Sequence, residues 1–548
     1  MNLLKKHLDS LLVGLVLLFL VVMPLLTIFV KAVVIDDSLD FSYAATALLE
    51  EGNLPMIGNS LLLGLLVVIT STAIAMPLAY LFSRTEFATK KHFDLLFLIP
   101  FMTPPYIASM GWILFMQKRG LFAQLFPAFP NGVPAFFTLG GLVLVMSLHL
   151  FPFMLTLLRN AMANIPSSLE ESAAVMGAPF SVRMRKIFLP LLLGNYAIGA
   201  LLIFVKTLSE YGTPYTLGRR IGFDVFTTSI HRYAAVAPVS FGKAAVLASV
   251  LVTICLLLWM VQNAITTRKS YSLVGGKGKR MTLTPLSPLA KAIAWGYLAF
   301  LLLLSIVIPY FSIISTSLIK LRGFGLSAGN FTLSHYAELF SETKNDALSA
   351  IGNSLFLGIA SATLCAILGT LIVLTVRKHK KSGKILEAQS LLPEMLPGIV
   401  LVIGIMLFWN DIYSLLPLYN TMVILVITYV ILFLPYTVQY VTSAFTQMSE
   451  SLTEAGRVFG GSSCYIFRHI TLPLILKGVC AGWMMTFIIS VRELVAPSLI
   501  APPNTLVIST YIMREFEQGS VSLGMSMAVL CVAITVSALM ILKRRMRL

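Results

Sequence analysis

Apolar residues in this chain come in long unbroken runs, not in the three-to-four or alternating rhythm of a half-buried helix or strand. The first run, "LLVGLVLLFLVVMPLLTIFV", carries no charge over residues 11–30. A helix needs about 20 apolar residues to cross the hydrocarbon core of a bilayer. On that measure the pattern predicts twelve spans, near residues 11–33, 57–82, 93–116, 138–160, 190–212, 243–265, 291–316, 352–376, 389–410, 420–444, 474–497 and 522–542. The expected fold class is an all-α polytopic membrane protein. Lys5 and Lys6 precede the first run as in a signal peptide. The run is long enough to span, and no small-x-small cleavage pattern follows it cleanly, so a retained first helix is expected.

Composition supports this reading. Of 548 residues, 57% are hydrophobic and only 11% charged, and the mean hydropathy is +0.89. Soluble domains carry about 25% charged residues, so a globular soluble enzyme is excluded. The net charge of +17 would point to nucleic acid in a soluble protein. Here the cations cluster between spans, at Arg268, Lys269, Lys277, Lys279 and Arg280, at Arg377, Lys378, Lys380, Lys381 and Lys384, and at Lys543, Arg544, Arg545 and Arg547. The first loop between spans instead holds Asp36, Asp37, Asp40, Glu50 and Glu51. Cytoplasmic loops are enriched in Lys and Arg, so both termini are expected on the cytoplasmic side of the membrane. Five cysteines, Cys255, Cys365, Cys464, Cys480 and Cys531, form no CxxC pair, and buried thiols are expected.

The chain repeats itself. "IGNSLLLG" at 57–64 recurs as "IGNSLFLG" at 351–358. From Pro152 and Pro435 onward the register holds at a constant offset of 283 residues: Glu171 with Glu454, Gly177 with Gly460, Leu189 and Pro190 with Leu472 and Pro473, Glu210 with Glu493. The halves are read as 1–270 and 291–548, joined by a basic Gly- and Pro-containing linker at 271–290. With six spans before the second copy, the repeats are expected to run parallel. "GGKGKR" in the linker lacks the GxxxxGK[ST] spacing of a phosphate loop.

The loops at 168–190 and 451–473 carry the most duplicated chemistry. Ser168-x-x-Glu171 and Ser451-x-x-Glu454 fit a capping box. Small residues follow, Ala173 in one copy and Ala455 and Gly456 in the other, and would admit another surface close to the backbone. Gly177 and Gly460 can take the left-handed conformation that ends a helix. Pro190 and Pro473 fit the start of the next span. Two interfacial helical connectors would satisfy the pattern. Exact duplication favours two docking knobs for two equivalent cytoplasmic partners, or a dimer.

The pattern E-x-A-x-x-x-G-x9-I-x-L-P, here "ESAAVMGAPFSVRMRKIFLP" and "EAGRVFGGSSCYIFRHITLP", resembles the EAA loop of permease subunits of binding-protein-dependent ABC importers. Ser172 and Gly456 depart from its alanines without adding bulk. The resemblance covers essentially the whole chain. It implies a type I importer fold with two permease halves fused. It also implies that each loop is a coupling helix seated in a groove of a nucleotide-binding subunit, through Glu171, Ala173, Gly177, Leu189 and Pro190 in one half and Glu454, Ala455, Gly460, Leu472 and Pro473 in the other. No Walker motif occurs in the sequence. No cofactor is therefore expected in this chain: ATP and Mg²⁺ belong to a pair of separate ATPase subunits, and an extracytoplasmic binding protein delivers substrate.

Charged groups within spans default to functional candidates. Glu210, Tyr211, Arg492 and Glu493 stand near the far ends of spans five and eleven, as path lining or as internal ion pairs. Glu394 either lines the path or interrupts span nine, and His149 reads as a packing residue. Arg219, Arg220 and Arg232 lie in a segment expected outside, where cations break the charge trend; they fit binding-protein docking, an anionic substrate, or a solvated loop. "SEYGTPYTLG" and "VRELVAPSLI" look most like the ferric-iron permease group. Ferric iron prefers hard oxygen ligands, although the spacing establishes no metal site. Fused permeases for phosphonates, sugar phosphates or thiamine are the alternative. A twelve-span ion-coupled transporter is more remote, because it has no use for duplicated docking loops.

Overall fold

The computed structural model describes residues 2–35, 38–90, 92–268, 283–341 and 346–546. Asp36, Asp37, Arg547 and the linker cations Lys269, Lys277, Lys279 and Arg280 lie outside the described residues. Helix dominates, since a chain with no water to satisfy its amides must pair them within the segment. Sheet among the described residues is confined to a two-residue antiparallel pair, Val34–Ile35 with Ser38–Leu39.

Ten helices among the described residues are long and apolar enough to cross a membrane. In the first half these are α1 (Leu8–Val33), α2 (Asn53–Arg84), α5 (Leu139–Ala163), α7 (Phe180–Ser209) and α8 (Phe241–Ile265), with α3 (His92–Met102) and α4 (Pro105–Met116) between, and the short α6 (Ser167–Val175) before α7. In the second half they are α9 (Pro288–Leu318), α10 (Asp346–Lys378), α13 (Met422–Thr446), α15 (Ser463–Val491) and α16 (Val521–Ile541), with α11 (Ser382–Met395), α12 (Gly398–Asp411) and the short α14 (Glu450–Val458) in the matching places.

The expectation of twelve continuous spans therefore changes at the third span of each half. Residues 93–116 and 389–410 are broken helices, and α11 and α12 meet at 111°. Pro104 and Pro397 stand at the breaks in extended conformation, with ψ of 133° and 132°, and each precedes the next helix. A proline bars the residue before it from helical geometry.

Elsewhere proline bends the hydrogen bonding without stopping the helix. Pro190 and Pro473 do not start new helices: α7 and α15 run through them. A wide five-residue π-turn precedes each, at Met184–Phe188 and Phe467–Thr471. The residue before each proline, Leu189 or Leu472, donates its N–H five residues back, to Met184 or Phe467. The same device precedes Pro24 (Leu18–Val22) and Pro309 (Leu303–Val307). Proline has no N–H for the i−4 carbonyl, and its ring collides with that carbonyl in a regular helix. One extra residue in the preceding turn relieves both.

Packing divides the chain differently from the sequence repeat. One compact unit holds residues 1–50, 230–252 and 332–548, the other 51–229 and 253–331. In the second unit α2, α5 and α7 pack together and α9 lies on α4; in the first unit α10, α13 and α15 pack together and α1 lies on α12. The leading helix of each half thus belongs to the unit built from the other half's body.

Candidate functional site

The two loops share one design. α6 and α14 are followed by Gly177 at φ 78° and Gly460 at φ 79°, the left-handed region open to glycine at little cost. The N–H of Gly177 reaches the Ala174 carbonyl at 3.0 Å and that of Ala178 reaches Ala173 at 2.9 Å. Gly460 to Arg457 at 3.0 Å and Gly461 to Gly456 at 2.9 Å repeat the pair. This is the Schellman closure, which satisfies the last carbonyls and reverses the chain.

The start of each helix differs from expectation. Neither capping box forms. α6 begins at Ser167, one residue before the serine expected to cap it, with Pro166 in the cap position, and no side chain caps it. In α14 the cap residue is Ser449, whose Oγ meets Ser451 Oγ at 2.6 Å instead of a backbone amide. Ser168 and Ser451 already have helical backbone, and Glu171 and Glu454 lie too deep to reach back to the cap. Both glutamates are exposed.

The sequence reading also passed over the tips. Val175 and Met176 are 87% and 86% exposed, and Val458 and Phe459 are 83% and 90% exposed. Each apolar pair directly precedes its turning glycine, which was the available signal. The remaining motif positions lie around them: Ala455, Leu189, Pro190 and Pro473 are exposed, and Ala173 and Leu472 half-buried.

The two loops are braced by different chemistry. In the first, Glu170 is buried and its Oε1 accepts from Arg183 Nη1 at 3.2 Å, tying α6 to the start of α7. Thr453 and Ile466 hold those places in the second. There Ile466 packs on the loop glycines: a Cβ on Gly456 would stand 3.1 Å from Ile466 Cγ1 and 2.9 Å from Ile470 Cδ1. The small residue at 456 thus serves a close approach within the loop itself.

Each loop is rooted by an arginine that ends or nearly ends the second span of its half. Arg84 is 1% exposed. Its Nη2 donates to the carbonyls of Met162 at 2.5 Å and Ile165 at 2.6 Å, and its guanidinium lies 5.3 Å from the Phe188 ring centre. Arg377 Nη1 donates to the Phe445 carbonyl at 3.3 Å, over that residue's ring.

At the opposite ends of α7 and α15, Glu210 and Glu493 play matched parts. Glu210 Oε1 accepts from the amides of Gly212 at 2.9 Å and Thr213 at 3.3 Å; Glu493 Oε1 accepts from Val495 at 2.9 Å and Ala496 at 3.3 Å. The Thr227 hydroxyl donates to the Glu210 carbonyl at 2.7 Å, and Ser509 does the same for Glu493. The repeated Asn-Ser pair clasps the returning chain: Asn59 and Asn353 donate to the carbonyls of Asp224 (3.2 Å) and Leu506 (2.9 Å), while Ser60 and Ser354 accept from the amides of Phe226 (2.9 Å) and Ile508 (2.8 Å). Each glutamate therefore organises the turn after its helix. Tyr211 is 3% exposed, its ring 5.0 Å from Tyr215, and Arg492 is half-buried beside Glu493.

Arg219 and Arg220 are exposed in a single 3-10 turn closed by Gly222, and Arg232 is exposed on the helix Phe226–Ala235. Glu394 stands at the break between α11 and α12 and accepts from Gln439, so it marks the interruption of span nine. His149 lines a small cavity with Thr103, Trp112 and Tyr310. No group of three or more His, Cys, Asp or Glu among the described residues is placed to hold a metal. Cys255, Cys365 and Cys531 are buried as expected, whereas Cys464 and Cys480 are exposed.

Comparison with known proteins agrees with this two-copy design. Residues 71–271 and 355–548 each match the family described as binding-protein-dependent transport system inner membrane component. The chain is 27% identical to a ferric transport system permease protein of Actinobacillus pleuropneumoniae, over 92% of this chain and 73% of that one. It is 24% identical to an Fe(3+)-transport system permease protein of Haemophilus influenzae, over 96% of this chain and 97% of that one. A Salmonella typhi protein named for 2-aminoethylphosphonate transport is 26% identical over 47% of this chain and 96% of its own length. Matched in both copies over most of its length, this multi-pass membrane chain belongs to the family of binding-protein-dependent transport system inner membrane components.

Proposed function

We propose that the chain is the permease of an ATP-driven importer, with both termini cytoplasmic, and that it takes up ferric iron handed over by an extracytoplasmic binding protein. Two glycine-closed helices with bare apolar tips carry this reading. Exposed apolar residues grouped at a tip favour burial by a partner, and two equivalent tips fit two copies of one ATPase subunit, which bind the ATP and Mg²⁺. Because α7 and α15 continue from the loops without a break, a push on a tip travels along one helix of about 45 Å to Glu210 or Glu493. The helices then alternate access to the substrate. Glu210 and Tyr211 in one half, and Arg492 and Glu493 in the other, would each line the translocation path, and Arg219, Arg220 and Arg232 would meet an acidic surface on the binding protein. Ferric iron as substrate draws support from the names of the two relatives matched over most of this chain and from the oxygen-rich turns at both glutamates.

The exposed Arg219 and Arg220, together with the phosphonate-named relative, favour a second substrate class, a phosphonate anion. The coupling reading is tested by Gly177→Arg with Gly460→Arg. Strain at positive φ and bulk at the turn should abolish co-purification of the ATPase subunit and uptake, with the protein still in the membrane. Normal uptake would overturn the assignment. Proteoliposome uptake of ferric iron against 2-aminoethylphosphonate decides the substrate, and failure to take up iron rejects the first choice.

A further inference from the structure

The two loops have matching outlines but unequal roots. Arg84 sits where three pieces of the first half converge: the end of α2, the end of α5 at Met162 and Ile165, and Phe188 in the π-turn of α7. The loop leaves the body at Ile165 and returns to it at Phe188, so one buried guanidinium touches both its exit and its return. Helix C-termini carry partial negative charge, and a cation hydrogen-bonded there is favoured. Met162, Ile165 and Phe188 are 0%, 4% and 0% exposed, so water cannot replace the lost donor, and unpaired buried carbonyls are costly. Two further contacts stiffen the root: the Tyr80 ring meets Phe180 edge-on at 5.1 Å, and the Arg84 carbonyl accepts from the Thr284 amide at 2.9 Å.

The second root is held differently. Arg377 is exposed and, among the described residues, donates at 3.3 Å to the Phe445 carbonyl. Among the described residues it reaches the end of α13, and its aromatic partner is that same Phe445 and not a residue of the returning helix.

We propose that Arg84 is the positioning residue that locks the first coupling loop to the transmembrane body, and that the two loops depend unequally on their root arginines, the first strongly on Arg84 and the second little on Arg377. This rests on the coupling reading above. Motion of a loop is passed on only if its two ends move with the body, and Arg84 fixes both ends where Arg377 fixes one.

The test reconstitutes the full permease with its ATPase subunit and binding protein, and reads the ratio of ATP hydrolysis with loaded binding protein to that without it. Arg84→Met should lower this ratio at least about five-fold, the lower end of typical coupling energies, with the ATPase subunit still co-purifying. Arg84→Lys, which keeps a charged donor, should recover part of it. Arg377→Met should lower the ratio by less than about two-fold. Phe188→Leu keeps an apolar side chain at the root and guards against misfolding of the Arg84 variants; it should give an intermediate loss. An unchanged ratio in Arg84→Met or Phe188→Leu, or an equal loss in Arg377→Met, overturns the proposal. If the unaltered chain neither binds nor stimulates the ATPase subunit, it is the coupling reading itself that fails.

Discussion

Gly111 lies flat against Pro309: a Cβ on the glycine would stand 2.7 Å from the proline carbonyl oxygen and 2.9 Å from its Cα. Gly404 makes the same approach to Pro24, at 2.6 Å from the carbonyl oxygen. In both units a glycine on the second arm of a broken helix receives the proline bend of the leading helix from the other half. Gly111→Val and Gly404→Val should therefore each cost about 1–3 kcal/mol by overpacking against backbone that cannot yield, read as a lower thermal midpoint in detergent. Gly58→Ala, where no atom lies within 4 Å of the new Cβ, should leave the midpoint unchanged or slightly raised.

The bare tips make a quantitative forecast for docking. Phe459 is rigid and aromatic, and Met176 is flexible. Aromatic anchors dominate interface energy when they fill a pocket. Phe459→Ala should weaken ATPase-subunit binding by about 2 kcal/mol or more, and Met176→Ala by less, in a binding titration with purified permease. Equal losses would mean that the two pockets do not distinguish the tips.

Bracing by an ion pair in one loop and by packing in the other predicts different sensitivities. Glu170→Gln removes the charge from the contact with Arg183 and should open the first loop locally at a cost of about 1 kcal/mol. Trypsin should then cut after Arg183, Arg185 or Lys186 roughly five-fold faster. Cleavage after Arg468 in the second loop should not change.

Cys464 offers a reporter beside the second tip. It is exposed at the start of α15, while Cys255, Cys365 and Cys531 are buried. A charged maleimide should modify Cys464 and leave those three unmodified. Bound ATPase subunit should protect it. Labelling at an undiminished rate in the assembled complex would place the partner elsewhere.

Much of this was legible in the sequence because the offset of 283 residues links chemically matched positions. The register from Glu171 to Pro190 and its copy located both loops, and Gly177 and Gly460 were correctly read as left-handed helix ends. The prolines misled. Pro190 and Pro473 read as helix starts, since a missing N–H is harmless there, but a π-turn is an equally good remedy and leaves no mark in residue types. The capping boxes failed because the helices begin at Ser167 and Glu450, one residue before the serines that would cap them. The third spans broke because hydropathy counts apolar residues and is blind to backbone angles at Pro104 and Pro397. Arg377 was read only as one of a cluster of cations between spans, and Arg84 was passed over; only three-dimensional convergence reveals the carbonyls they hold.

The exchanged leading helices also set a schedule for biogenesis. α1 is synthesised well before its packing partner α12, which ends at residue 411. At about 5–20 residues per second, the ribosome needs roughly 20–75 s to travel from one to the other. Through that interval α1 waits in the bilayer without its native neighbour, open to capture by whatever else diffuses past. A chain halted at the linker would leave α1 without the α12 surface it packs on in the finished protein.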